Sequence, residues 1–249
     1  MNNTLSFDFT GTSAIVTGGS SGIGYVTARL LCTAGANVTV TGTKPDASHY
    51  SVDMSDLTYR QLDLSDSEQI DSFAAEIDSV DVLINNAGAN FAAREAMTAF
   101  PEFESAVRVN LLAPFRLTGA LHDALQASQA AGGASVVMLT SMSAIRASTS
   151  VPGYGSAKAG IISLTQDLAS AWASHEIRVN AVMPGVTETP MTAPMEHRPE
   201  HKQAQLAHIP MGRFATPEEI ADAILFLCTR NAAYCTGTVL TVDGGYSTV

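Results

Sequence analysis

The chain has 249 residues, 46% of them hydrophobic and 15% charged, with 24 acidic against 13 basic side chains and a formal charge of −11. Such a length fits one large α/β domain, spanning 1–249, better than two small ones. The acidic field repels nucleic acid and anionic membrane, and no cluster of Lys or Arg offers a local exception.

From the N-terminus, residues 1–11 show neither the basic segment nor the apolar core of a signal peptide. Strand-like apolar runs then occur at 13–17, 37–41, 58–63, 80–85, 135–141, 178–184 and 238–242. Helical patterns separate most of them, at 23–34, 67–77, 103–129, 156–174 and 217–228. Several strands are near-continuous Val, Ile and Leu, the pattern of strands covered on both faces. This alternation builds an open, doubly wound parallel sheet with helices on both faces. Segment 43–57, with Pro45 and several Asp and Ser, reads as a loop or one short turn. Segment 187–210 carries Pro190, Pro194, Pro199 and Pro210 and is long for a connector, which suggests a lid. The apolar runs are only strand-sized, so none is expected to cross a membrane.

Cys32, Cys228 and Cys235 are odd in number and lack metal-ligand spacing, and they read as buried thiols of a reduced, cytoplasmic protein. His197 and His201 stand four apart, but no carboxylate completes a set and no metal site is expected. The low charged share leaves little to solvate a large surface, which points to a symmetric oligomer.

Three features carry chemistry. Thr17-Gly18-Gly19-Ser20-Ser21-Gly22-Ile23-Gly24 lies between the first strand and the first helix. Glycines there permit a tight turn and let backbone approach a pyrophosphate, while the helix start supplies N–H groups. Ser141 ends a strand. Tyr154 and Lys158 stand at i and i+4, so on a helix the phenol and the ammonium share a face. A cation beside a phenol favours the phenolate and brings its pKa down toward neutrality, where it can exchange protons.

Together these residues resemble the short-chain dehydrogenase/reductase family, in its branch of about 250 residues. The resemblance runs from about residue 9 to 246. It rests on Thr-Gly-x-x-x-Gly-Ile-Gly at 17–24, Asp63, Asn85-Asn86-Ala87-Gly88, Asn110, Ser141, Tyr154 with Lys158, Pro184-Gly185, the run 213–220, and Val242-Asp243-Gly244-Gly245. It implies a single-domain Rossmann fold with a seven-stranded parallel sheet, and hydride transfer between a nicotinamide and a carbonyl or secondary alcohol. Asn110, Ser141, Tyr154 and Lys158 match the family's catalytic tetrad. By the same resemblance Tyr154 exchanges the proton, Lys158 lowers its pKa and binds the nicotinamide ribose, Ser141 holds the substrate oxygen, and Asn110 holds a water that relays protons. Gly18, Ser20, Ser21, Gly22, Ile23 and Gly24 would bind the pyrophosphate. Asp63 and Leu64 would meet the adenine, and Asn86, Ala87 and Gly88 its ribose. Pro184, Gly185, Val186 and Thr187 would frame the nicotinamide, with Thr189 on its carboxamide or a phosphate.

An acidic side chain ending the second strand would select NAD(H). Gly42 stands there instead, followed by Thr43 and Lys44, which favours NADP(H) with those two on the phosphate and leaves NAD(H) open. Met142, Ser143, Ala144, Arg146, Val151, Val186, Met191 and Met195 should line an adaptable, largely apolar substrate pocket. Arg146 could meet a substrate carboxylate. Relatives that reduce 3-oxoacyl groups on an acyl carrier protein dock that acidic partner on a basic surface, and the helix ends 126–133 and 170–176 contain no Lys or Arg. A freely diffusing ketone, hydroxy acid or cyclic alcohol therefore fits better than a carrier protein, while a coenzyme A thioester stays open. A regulator that senses the nucleotide without turning it over would be expected to lack Tyr154 or Lys158. The resemblance also implies a homotetramer, or a homodimer, through the helices at 103–129 and 156–174 and the last strand.

Overall fold

The computed structural model describes residues 6–91 and 98–249. The chain begins with β1 (Ser13–Val16), α1 (Gly22–Thr33), β2 (Asn37–Gly42), β3 (Thr58–Gln61), α2 (Ser67–Ala75) and β4 (Val82–Asn85). Then come α3 (Phe100–Val107), α4 (Ala113–Ala120), α5 (His122–Gln126), β5 (Ala134–Leu139) and α6 (Pro152–Trp172). It ends with β6 (Ile177–Pro184), α7 (Pro199–Leu206), α8 (Pro217–Cys228) and β7 (Val239–Val242). The strands form one parallel sheet in the order β3-β2-β1-β4-β5-β6-β7. Chain order reverses between β1 and β4, which opens a crevice at their C-terminal ends.

Two apolar layers hold the sheet. Ile70, Phe73, Leu117, Leu121, Ile161 and Leu168 of α2, α4, α6 and the α4–α5 turn cover one face. Ala28, Leu31, Ile220, Ile224 and Leu227 of α1 and α8 cover the other. Every residue of β5 and β6 is buried, which accounts for their largely apolar character. Two polar side chains in β6 are buried and satisfied. Arg178 donates from Nη1 to the carbonyls of Leu227 (2.8 Å) and Ala232 (3.1 Å), and Asn180 donates from Nδ2 to that of Cys235 (2.8 Å). They tie the end of α8 and the approach to β7 onto β6.

Three segments differ from the sequence expectation, and all three bear on the site. The single helix expected at 103–129 is α3, a π-helical turn at Arg108–Leu112, then α4 and α5. The Asn110 amide donates to the Ala106 carbonyl (2.9 Å) at that turn, and side-chain competition of this kind widens a helix. Helix α6 starts at Pro152, four residues before the expected start. Proline at the first helical positions costs no hydrogen bond, and Tyr154 therefore sits inside the first turn. Segment 187–210 is partly helical, with a 3₁₀ turn at Ala193–His197 and then α7 opening on Pro199. Segment 43–57 is a loop with one 3₁₀ turn, Ala47–His49, as its composition suggests.

Helix α8 carries a reciprocal cap. The Thr216 hydroxyl accepts from Glu219 N (3.4 Å), and the Glu219 carboxylate accepts from Thr216 N (2.9 Å) and from Arg213. Thr216→Ala should cost about 1 kcal/mol, read as a lower urea midpoint at unchanged slope.

Candidate active site

One cleft of about 790 Å³ runs along the C-terminal edge of the sheet, from the turn after β1 to the loops after β5 and β6. Its floor at the first end is the glycine-rich turn. Gly18 (φ 64°) and Gly22 (φ 53°) adopt left-handed backbone that side chains disfavour. Gly24 lies outside the cleft wall and has a packing role: a Cβ there would come within 2.2 Å of Asn86 Nδ2. Asn86 donates from Nδ2 to the carbonyls of Thr17 (2.9 Å) and Gly18 (3.2 Å), and Asn86 N and Ala87 N donate to Thr17 Oγ1. These bonds lock the turn to the end of β4. Ser21, the N-cap of α1, makes no side-chain cap bond, so the cap leaves the N–H groups of the first turn to a ligand.

Ser20, Ser21, Ile23, Thr43, Asp63, Leu64, Ala87 and Gly88 all line this end of the cleft. Asp63 Oδ1 accepts from Ser65 N (2.8 Å) and Oγ (2.7 Å). Lys44 does not line it. Its ammonium donates to the His49 carbonyl (2.5 Å) and lies 4.7 Å from the centre of the Tyr50 ring, turned away from the position expected for a phosphate contact. Tyr50 takes that place, and the sequence reading missed it because nothing in a polar loop signals which side chain folds inward. Its hydroxyl sits against Gly42 and accepts from Lys44 N (3.1 Å). Burial raises the Tyr50 phenol, but hydrogen bonds with Tyr59, Lys44 N, Ser20 and Thr43 outweigh it and hold the phenol below its ordinary 10.

At the other end Ser141, Tyr154 and Lys158 converge. Ser141 caps the 3₁₀ turn Met142–Ala144, accepting from Ser143 N (3.1 Å), and shares the cleft wall with Tyr154. The start of α6 is pressed onto that turn, since a Cβ on Gly155 would come within 2.7 Å of the Ser143 carbonyl. Lys158 is 3% exposed and donates to the Leu139 carbonyl (2.7 Å), with its Nζ 5.6 Å from the centre of the Tyr154 ring. Asn110 is fully buried. Its amide bonds the carbonyls of Ala89 and Ala106 (2.9 Å each) and accepts from Ala89 N (3.2 Å). Gly88 lies between these groups, because a Cβ there would come within 2.7 Å of Asn110 Oδ1 and 3.5 Å of Lys158 Nζ.

Pro184, Gly185, Val186, Thr187 and Thr189 form the wall after β6. Thr187 donates to the Gly185 carbonyl (3.1 Å), and the Thr189 methyl faces Gly22 across the cleft. Met142, Ser143, Arg146, Val151, Met191 and Met195 line the outer end, joined by His201 and Gln205 of α7 and by Tyr246. Ala144 is absent from the lining. Among the described residues no group of three or more His, Cys, Asp or Glu could hold a metal, and no helix is long and apolar enough to cross a membrane.

A family model described as enoyl-(acyl carrier protein) reductase matches residues 18–247. A 3-oxoacyl-(acyl-carrier-protein) reductase of Chlamydia trachomatis is 35% identical over 243 residues, covering 94% of this chain and 96% of the relative. The cis-4-hydroxycyclohexanecarboxylate dehydrogenase of Sinomonas cyclohexanicum is 36% identical over 247 residues, covering 95% and 96%. Among solved structures, the Pseudomonas aeruginosa RhlG/NADP active-site complex superposes with a TM-score of 0.87 at 31% identity, covering 97% of this chain and 98% of that one.

The chain belongs to the short-chain dehydrogenase/reductase family. Its chemistry is that of the class, hydride exchange between a nicotinamide and an alcohol or carbonyl carbon. The cleft fits such a cofactor, with a glycine-rich turn where a pyrophosphate would lie and helix N–H groups beside it.

Electrostatics at the reacting end differ from the sequence expectation in one respect. Burial raises the Tyr154 phenol above its ordinary 10, and the Ser141 hydrogen bond only partly opposes this. The Lys158 ammonium is aimed at the Leu139 carbonyl, and burial lowers its own pKa from 10.5 to about 8. The drop corresponds to roughly 3 kcal/mol of cost to the folded protein while Lys158 is charged. Folding therefore disfavours the proton, and stability rises with pH between about 8 and 10.5. Lys158→Met should raise the stability of the free protein at pH 7 by up to roughly 3 kcal/mol, and the gain should shrink over that window, as urea melts at pH 7 and 10 would show.

Proposed function

We propose that the protein is an NADP(H)-dependent oxidoreductase acting on a small ketone, hydroxy acid or cyclic alcohol, with Asn110, Ser141, Tyr154 and Lys158 as its catalytic set. The observation that carries this reading is the convergence of Ser141, Tyr154 and the buried Lys158 on one cleft at the open edge of the sheet, with the Lys158 ammonium 5.6 Å from the centre of the Tyr154 ring. In reduction, the Ser141 hydroxyl holds the substrate oxygen and Tyr154 gives it a proton; in oxidation, Tyr154 takes the proton back. A nicotinamide bound along the cleft would supply or accept the hydride. Asn110 fixes the segment after β4, and with it the Gly88 gap that admits the Lys158 ammonium. A non-catalytic nucleotide sensor is disfavoured because Tyr154 and Lys158 are both in place.

The cofactor reading rests on the absence of a carboxylate where β2 ends and on the neutral donors Ser20, Thr43 and Tyr50 around Gly42. The P. aeruginosa neighbour is an NADP complex, which agrees with it. The Sinomonas relative acts on a cyclic hydroxy acid, within the substrate class named above. Reduction of a 3-oxoacyl thioester is the second reading, favoured by the Chlamydia relative. The helix ends 126–133 and 170–176, which lack Lys and Arg, do not oppose it. They lead into β5 and β6, at the sheet edge opposite this chain's own cleft. Exposed Phe100, Phe103, Leu112 and Phe115 around α3 and α4 support assembly of copies into a dimer or tetramer. The free thiols agree with a reduced, cytoplasmic setting.

Tyr154→Phe should lower kcat by at least ~100-fold while NADPH still binds, and near-normal turnover would refute the proton-transfer role. Thr43→Asp should weaken NADPH binding by ~10-fold or more and leave NADH binding within a few-fold, as read by cofactor fluorescence.

A further inference from the structure

Charge is unevenly placed along the cleft. Among its described lining residues the only Lys or Arg side chains are Lys158, which is buried, and Arg146. The only carboxylate among those described residues is Asp63, at the far end, where it is bonded to Ser65. Arg146 lies on the loop between the Met142–Ala144 turn and α6, five residues after Ser141. Among the described residues no carboxylate of this chain pairs with it.

This guanidinium is not a free loop cation. Its Nη2 donates to the Tyr246 carbonyl (3.3 Å), and its central carbon lies 5.7 Å from the centre of the Tyr246 ring. Tyr246 comes from the C-terminal 3₁₀ turn Tyr246–Thr248, one hundred residues away in sequence. Asp243 pins that turn, accepting from Gly245 N (2.9 Å) and Ser247 N (2.8 Å), while its own backbone packs on Gly185 of the cleft wall. The C-terminus thus props Arg146 at the cleft's outer end by one of its five N–H groups. The other four are left to a ligand, and a planar fork with no counter-ion among the described residues is matched to a carboxylate.

We propose that Arg146 binds a carboxylate of the substrate, so that the enzyme works on keto acids and hydroxy acids whose reacting carbon is separate from the acid group. The assignment rests on the oxidoreductase reading and narrows it. With the reacting oxygen at Ser141 and Tyr154, Arg146 fixes the opposite end of the molecule and selects its length. Tyr246 is a positioning residue, acting through Arg146.

The test uses NADPH and the pairs 3-oxobutanoate, 4-oxopentanoate and 5-oxohexanoate with their methyl esters, on the wild type, Arg146→Gln, Arg146→Lys, Tyr246→Phe and Tyr246→Ala. At one chain length or more the wild type should favour acid over ester. Arg146→Gln should lower the acid-to-ester ratio of kcat/KM by roughly 10- to 100-fold, chiefly through the KM of the acid. Arg146→Lys should recover part of it. Tyr246→Ala should raise the acid KM, and Tyr246→Phe, which keeps ring and carbonyl, should not. If none of the six is turned over, the same pairs are read as ligands of the NADPH-loaded protein by calorimetry, where the acids should bind more tightly and Arg146→Gln should remove the difference. Equal handling of acids and esters by the wild type, or equal losses on both in Arg146→Gln, overturns the assignment. Turnover of esters with no acid preference would leave the oxidoreductase reading standing. Tight NADPH binding with no turnover of any ketone or alcohol would count against that reading itself.

Discussion

The ammonium of Lys158 has almost no access to water and has one carbonyl, that of Leu139, to compensate it. A cation in that position is costly, and the surrounding structure is arranged to keep it there. Strand β5 must end at Leu139 for the carbonyl to point at it. Helix α6 must lie along β5 and β6, held also by the bond from Thr140 Oγ1 to the Lys158 carbonyl (2.7 Å). Gly88 must lack a side chain, and Asn110 must sit in a π-turn to close the other side. Each of these would be a defect in a fold selected for stability alone. Together they place a phenol, a hydroxyl and an ammonium at the one sheet edge that opens to a cofactor-sized cleft.

The periodic parts of the chain were legible in the sequence. Strands buried on both faces read as apolar runs, and helix α8 lies at the residues where a helical pattern is expected, 217–228. The sequence also placed Ser141, Tyr154 and Lys158 on a strand end and a helix face, and the fold brings the three together. What escaped was set by tertiary contact. The π-turn at Arg108–Leu112 depends on the Asn110 amide finding carbonyls of residues 89 and 106, which no local pattern encodes. Helix α7 hid behind prolines that read as breakers, although Pro199 stands where proline starts a helix. Lys44 carries the charge a phosphate would want, yet the loop turns it onto His49 and Tyr50 and presents Tyr50 to the cleft instead.

The two ends of the cleft follow different logic. At the reacting end, Asn110 and Lys158 are buried and bonded to backbone carbonyls, so position is fixed and the proton affinity of Lys158 is set by desolvation. At the outer end, Met191 is exposed and Arg146 is held only from behind, by the C-terminal turn. Rigid chemistry next to an adaptable mouth lets one scaffold serve many alcohols and ketones, with selectivity assigned to a few loop side chains.

Burial of the Lys158 charge can be measured directly. The protein has three lysines, Lys44, Lys158 and Lys202, so side-chain NMR of lysine-labelled free protein resolves each ammonium as pH is raised. Lys158 should titrate near 8, well below its ordinary 10.5, and its signal should vanish in Lys158→Met. Titration of Lys158 near 10.5 would mean that the ammonium is solvated, and a desolvated cation could not then be what organises the site.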